Sequence, residues 1–344
     1  MGLRPEFKLI ANGGDITATI KDRLKSLRFT DATGMDSDVL EVTLDDSDPL
    51  KPITMPPTGA ELELFLGYDG AAQRMGLFVV DAIELSGWPG EMHITAHAAP
   101  FDKSKGGKAN LQTQKTRSWP KDTKLGDMVK KIAGEHGLTA AVAPSLASIT
   151  LPHTAQSDES DMHLLVRIAR KYDAVVKPAA GKLVLAKRGE TKSASGQQLP
   201  SITLAPGDVT RWRIGIAKRG KAGSVVAAWH ETKKAKRHTV TTGQGEPVTR
   251  LRTQYATKDM ALAAARAELD KRARGERKLD VTLPGRADLA AEGPLTMAGF
   301  RDGVDGEWVI TSVQHSLDNQ GYVCSVQAEV PNSKGQTNTQ EATD

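Results

Sequence analysis

Residues 61–68, ELELFLGY, and 74–98, RMGLFVVDAIELSGWPGEMHITAHA, decide how the chain reads. In the first run Leu62, Leu64 and Leu66 occupy every second position, so one face of an extended segment is apolar. The second run holds two more extended pieces joined by Trp88-Pro89-Gly90. A period of two, with Gly and Pro between runs, belongs to antiparallel strands half-buried on one face. Working outward, DVLEVTLD (38–45) alternates through Leu40, Val42 and Leu44. PLKPITMPPTG (49–59) is too rich in proline for a central strand and reads as a loop. Five or six strands in about a hundred residues predict a closed barrel or a sandwich over residues 1–102.

The composition then changes. KSKGGKANLQTQKTRSWPKDTK (103–124) is polar, basic and glycine-containing, and opens a small α+β module over residues 103–190. Its two helices are LGDMVKKIAGEHG (125–137), with Thr123 as N-cap and Gly137 as stop, and SDMHLLVRIARKY (160–172). They align at one offset, Met128 with Leu164, Val129 with Leu165, Ile132 with Ile168 and Ala133 with Ala169, as a weak internal repeat. GETKSASGQQLP (189–200) reads as a linker. Strands return over 191–331 and carry one helix at about 257–274, capped by Thr257, ended by Gly275, with Ala261, Leu262, Ala265 and Leu269 as an apolar stripe. The tail, 332–344, is polar and expected to be disordered.

The chain has 344 residues, a net charge of +4 and one cysteine, Cys324, which excludes an internal disulfide and a cysteine zinc cluster. No apolar run nears the roughly 20 residues of a membrane span. A charge interrupts the opening MGLRPEFKLI, so it does not read as a signal peptide, and a soluble, cytoplasmically made protein is expected.

The search for chemistry returns little. His93 and His97 share a strand face but lie about 13 Å apart, too far for one metal. WHETKK (229–234) has His230 and Glu231, but Lys234 stands where a zinc protease needs its second histidine. His136 and His163 sit on separate helices without a third ligand. G-x-S-x-G, P-loop and G-x-G-x-x-G motifs are missing from the sequence. Lys218, Arg219, Lys221, Lys233, Lys234, Lys236 and Arg237 form basic loops that suit phosphate or acidic-protein contact, or simple solvation. Asp158, Glu159 and Asp161 around Ser160 read as the acidic start of a helix rather than a catalytic dyad. No catalytic, cofactor-binding or metal-ligating residue is assigned, and no enzyme is expected.

The chain resembles the late control D family of contractile-tail phages, found also in R-type bacteriocins. The resemblance rests on six ordered stretches: GAELELFLGY (59–68), residues 74–98 above, LPHTAQSDESDMHLLVRIARKYDA (151–174), VVAAWHE (225–231), LRTQYATKDMALAAARAELDKRARGE (251–276) and MAGFRDGVDGEWVITSVQHSLDNQGYVCSVQAEV (297–330). The Q-x-x-E-S-D helix start (156–161) is also similar to that of VgrG spikes. One departure is Asp173, where glycine is expected.

The resemblance implies a mainly β chain with an α+β insertion: two tail-tube-like antiparallel β-barrel domains flanking the helical module. It implies a baseplate hub whose homotrimer forms a pseudo-sixfold ring between the sixfold tail tube and the trimeric membrane-piercing spike. Implied partners are the tail tube protein, the central spike protein, the tape measure protein and baseplate wedge proteins. DNA passes only in transit, and no stable membrane association is implied. The place is the virion tail baseplate or a bacteriocin particle, assembled in the host cytoplasm. Two other readings stand beside it. DTKLGDMVKKIAGEHGLT (122–139) resembles a LysM start and so a peptidoglycan-binding module, and a tail-borne cell-wall hydrolase would need a carboxylate pair that the sequence does not assign.

Overall fold

A computed structural model describes residues 3–33, 38–99, 111, 113–179, 181–191, 197, 199–217, 222–231, 236–332 and 339–343. The N-terminal part contains β1 (Pro5–Ala11), β2 (Gly14–Asp15), α1 (Thr17–Ile20), β3 (Leu24–Ala32), β4 (Val39–Asp45), β5 (Glu61–Tyr68), β6 (Gln73–Ser86) and β7 (Glu91–Ala98). Their spatial order is β3-β4-β7-β6-β5-β1-β2. The alternation works as expected: Leu40, Val42, Leu44, Leu62, Leu64 and Leu66 are all buried. The fourteen-residue β6 joins two layers, because its first part pairs with β5 up to Val79 and its second pairs with β7 from Phe78 onward. A bulge between Val80 and Ala82 marks the crossing.

The module contains β8 (Gln114–Trp119), α2 (Leu125–Glu135), β9 (Thr139–Val142), α3 (Pro144–Ala147), β10 (Thr154–Ser160), α4 (Asp161–Lys171), β11 (Ala174–Ala179) and β12 (Lys182–Lys187). All eight residues of the α2/α4 alignment are buried in one cluster, so the repeat marks the two faces that meet the module's core. Ser160 caps α4, its Oγ accepting from the His163 N–H at 3.2 Å. At α2 the cap position is Lys124 and not Thr123, whose hydroxyl instead donates to the Pro120 carbonyl.

The rest contains β13 (Ile202–Leu204), β14 (Arg211–Ile216), β15 (Ser224–Glu231), β16 (Lys236–Gly243), β17 (Val248–Tyr255), α5 (Lys258–Arg274), β18 (Arg277–Pro284), β19 (Pro294–Met297), β20 (Gly306–Asp318), β21 (Gly321–Glu329) and β22 (Thr339–Thr343). Here the structure departs from expectation twice. First, α5 does not lie on the sheet built by the other C-terminal strands. It packs Ala261 and Ala265 onto a separate four-stranded sheet, β17-β15-β16-β22, inserted between β14 and β18. Second, the tail is not wholly without structure: β22 pairs antiparallel with β16, from His238↔Thr343 to Thr242↔Thr339. The composition of β22 gives no strand signal. Its pairing comes from the edge that β16 offers.

The remaining C-terminal strands repeat the N-terminal topology. Their order is β14-β18-β21-β20-β19-β13, against β3-β4-β7-β6-β5-β1, and each set is used in the same chain order. The correspondence reaches single residues. The bulge of β6 between Val80 and Ala82 matches that of β20 between Ile310 and Ser312. With these aligned, buried Phe78 falls on Trp308, Val80 on Ile310, Ile94 on Val326 and Ala96 on Ala328. Across the next ladder, LEVTL (40–44) falls on LDVTL (279–283). One difference is that β1 runs antiparallel to β5, whereas β13 runs parallel to β19. The module does not hold the two units apart. β3 pairs with β20, which makes one thirteen-stranded sheet over a single apolar core.

Candidate assembly interface

The joint between the two units is an ordinary antiparallel ladder, from Ser312↔Ala32 to Asp318↔Ser26. Its core side is sealed by rings: Phe29 stacks on His315 at 5.4 Å, and Tyr68 lies 5.6 Å from Tyr322. His315 is fully buried, with Nδ1 2.8 Å from the Tyr322 hydroxyl and 3.2 Å from Cys324 Sγ. Burial pushes the imidazole down to about 4 and the thiol up to about 11. A neutral ring beside a protonated thiol is packing, not an activated nucleophile.

Among the described residues the sheet has open edges at β2, at β13 and at two places that carry exposed apolar side chains. One of these is β14, at one end of the strand order. The other is the second half of β6: on the side facing away from β7, pairing with the β5 side stops at Val80, whose N–H donates to the Ala60 carbonyl. Large apolar side chains stand exposed at both, Leu85 and Trp88 at one, Trp212 and Ile216 at the other. The charges differ in sign: exposed Asp81 and Glu84 on β6, exposed Arg211 and Arg213 on β14.

Two charged knots fix the other parts to this sheet, and a third holds the module together. Lys177 of β11 reaches Asp31 at 3.0 Å and Asp38 at 2.5 Å, which ties the module to the N-terminal unit. Burial, with the Asp31 carboxylate beside it, lifts Asp38 to about 6. Arg274, at the end of α5, is 2% exposed. It clamps Asp173 through two bonds of 2.6 and 2.7 Å, bonds Asn332 at 2.5 Å and pairs with Glu329 at 2.9 Å. The inserted sheet, the module and β21 therefore meet on one guanidinium. Asp173 sits at φ +52°, a conformation that suits glycine, and the clamp explains the aspartate found there. The only signal of this clamp in the sequence is a charged residue standing in a glycine's place.

The third knot is Asp161. Its carboxylate accepts from Lys115 at 2.6 Å, Arg117 at 2.6 Å, Gln156 at 2.9 Å and His136 at 2.8 Å. Burial works against the charged form, but the bonds from Lys115, Gln156 and His136 bring the carboxyl down to about 2. Such a group stays ionised and cannot donate a proton near neutral pH. Glu135, His136 and Asp161 are close enough to ligate one ion, yet Lys115 and Arg117 already bond the carboxylates of Glu135 and Asp161. The set balances its own charge and does not call for a metal.

The remaining residues singled out from sequence do not converge. His93 bonds Thr43, and His97 faces Asp81. His230 and Glu231 lie on β15 rather than on a helix. Of the basic loop residues, Lys236 and Arg237 are exposed on β16, and Lys218, Arg219, Lys221, Lys233 and Lys234 lie outside the described residues.

The N-terminal unit, the module and the C-terminal unit also meet around a cavity of about 330 Å³ lined by Phe29, Asp31, Lys177 and Glu292. Burial lifts Glu292 to about 7. Because its folded value is raised, its contribution to stability is greatest below its ordinary value of 4.5 and is lost as pH rises through about 7. Glu292→Gln, neutral at every pH, is expected to match the wild type near pH 4. At pH 8 it should be more stable by on the order of 1–2 kcal/mol, read from denaturant melts across that range.

The family model described as phage tail baseplate hub (GPD) matches residues 107–321. The "Probable baseplate hub protein" of Escherichia phage 186 is 36% identical, covering 95% of this chain and 93% of that protein. Its namesake in Escherichia phage P2 is 34% identical, covering 95% and 94%. Among solved structures, the 43 kDa tail protein of prophage MuSo2 from Shewanella oneidensis has a TM-score of 0.68 at 14% identity, covering 95% of this chain and 98% of that one. The tail protein from Neisseria meningitidis MC58 also has a TM-score of 0.68, at 11% identity, covering 95% and 96%.

Proposed function

The chain belongs to the phage tail baseplate hub family, and from that premise we propose that it closes the tail tube as a trimeric, pseudo-sixfold adaptor. One observation carries the reading: a single chain holds the same six-strand unit twice, already joined edge to edge. Three chains then supply six such units, which matches a sixfold tube on one side while leaving the chain's own symmetry threefold.

The two ends of the sheet suit those two partners. At one end lie connections inside the units: the 87–90 and 319–320 turns and the 46–60 and 285–293 loops, a matched pair from each unit, with the 16–23 connection of the N-terminal unit beside them. The matched loops repeat in every unit, and this end faces the tube. At the other end sit both insertions, the module after β7 and the α5-bearing sheet after β14. Each occurs once per chain, so this end is threefold and seats the trimeric spike, with tape measure and wedge proteins as further contacts. The work is mechanical: hub, tube and spike travel as one body, and DNA crosses the lumen after the spike has left.

Light scattering on the chain co-expressed with the tube and spike proteins of its own particle tests this. A species holding three copies of the 36.9 kDa chain is expected. A single copy in the presence of both partners would overturn the reading.

A further inference from the structure

We infer that β14 of one chain adds antiparallel to the second half of β6 of the next, in the register that β3 and β20 already use within a chain. This rests on the ring proposed above and names the surfaces that close it.

Within the chain, β20 is covered by β3. By the correspondence of the two units, β6 is the counterpart of β20, and β14 is the counterpart of β3. The bulge alignment places Leu85 on His315. Yet His315 is fully buried under Phe29, whereas Leu85 is 58% exposed. What Leu85 lacks is the covering strand. On the other side, the β18 ladder places Ile214 on Phe29, Arg213 on Arg28 and Ile216 on Asp31. Ile216 is 64% exposed, an apolar side chain on a terminal strand of the sheet with no strand over it among the described residues.

Carrying the β3–β20 register across gives Ile83 opposite Ile216, Glu84 opposite Gly215, Leu85 opposite Ile214 and Ser86 opposite Arg213. Leu85 and Ile216 then join the apolar side of the sheet, where cross-strand neighbours stabilise a ladder. Glu84 lies diagonal to Arg213, so the acidic edge meets the basic one. The donor edge and the acceptor edge differ, so the contact is head-to-tail and closes into a ring rather than a twofold dimer. An open β14 is a hazard for indiscriminate pairing, and the next chain's β6 is what covers it.

Lysine at either exposed apolar position disables one edge without touching the packed interior. Leu85→Lys and Ile216→Lys are each expected to melt like the wild type but to sediment as monomers where the wild type sediments as a trimer. Mixed in equal amounts, they retain one good joint per pair and should give one-to-one dimers and nothing larger. Glu84→Cys combined with Gly215→Cys, where Gly215 has open space for a Cβ, should oxidise to a covalent ladder ending at the closed trimer. If both lysine variants stay trimeric and the double cysteine variant does not cross-link, this edge assignment is wrong and the ring survives with other contacts. If the wild type co-expressed with the tube and spike proteins holds a single copy and the cysteines do not cross-link there, the ring falls as well.

Discussion

Replacing Arg274 with alanine is expected to destabilise the chain by about 3–5 kcal/mol, because it strands Asp173 and Glu329 without their shared cation. In urea the loss should appear as separation of the module and the inserted sheet from the main sheet, before the thirteen-stranded core opens. Asp173→Gly sharpens the test. Glycine relieves the φ of +52° at this position, a gain of about 1 kcal/mol at most, but leaves a 2%-exposed guanidinium short of its two-bond partner. The net effect expected is destabilising. A neutral or stabilising result for Asp173→Gly would show that backbone strain, not the clamp, governs this position.

Asp161→Ala should be comparably severe, again about 3–5 kcal/mol, since Lys115, Arg117, Gln156 and His136 all lose an acceptor. The wild type should also show an acid transition of its own. The Asp161 carboxyl lies at about 2, below the ordinary 3.8, so its contribution is present above about pH 4 and is lost as pH falls through about 2. The module's far-ultraviolet melt, followed from pH 5 to pH 2, should fall more steeply in the wild type than in Asp161→Ala, where only the lowered carboxyls of Glu135 and Glu159 still respond. A flat wild-type curve would remove Asp161 from its place as the module's charge anchor.

Local pattern carried much of this fold. The alternation at Leu40 to Leu44 and Leu62 to Leu66, the Ser160 and Thr257 caps and the α5 range Lys258–Arg274 were all readable, because each depends on side chains within a few residues of one another. The joint was not. β3 and β20 lie almost a chain length apart, and neither announces a partner. The duplication left one plain trace, LEVTL at 40–44 and LDVTL at 279–283, short enough to pass unnoticed. The rest of the repeat has diverged in sequence while holding its strand order, as Leu27-Arg28-Phe29 against Trp212-Arg213-Ile214 illustrates. The knots were hidden for another reason. Asp161 reads as a helix start, which it is, but its four partners come from β8, β10 and the residue just after α2, and only the assembled module brings them together. Ordinary helix-start chemistry and a buried charge anchor use the same residue, and spacing alone does not separate them.

The measurement that bears most directly on all of this is the copy number and symmetry of the chain in its assembled form, seen by electron microscopy of the hub with tube and spike bound. Three chains arranged as six alternating strand units around an open channel is the result expected. Six chains, or a ring in which each chain contributes a single unit, would contradict the duplicated-unit account.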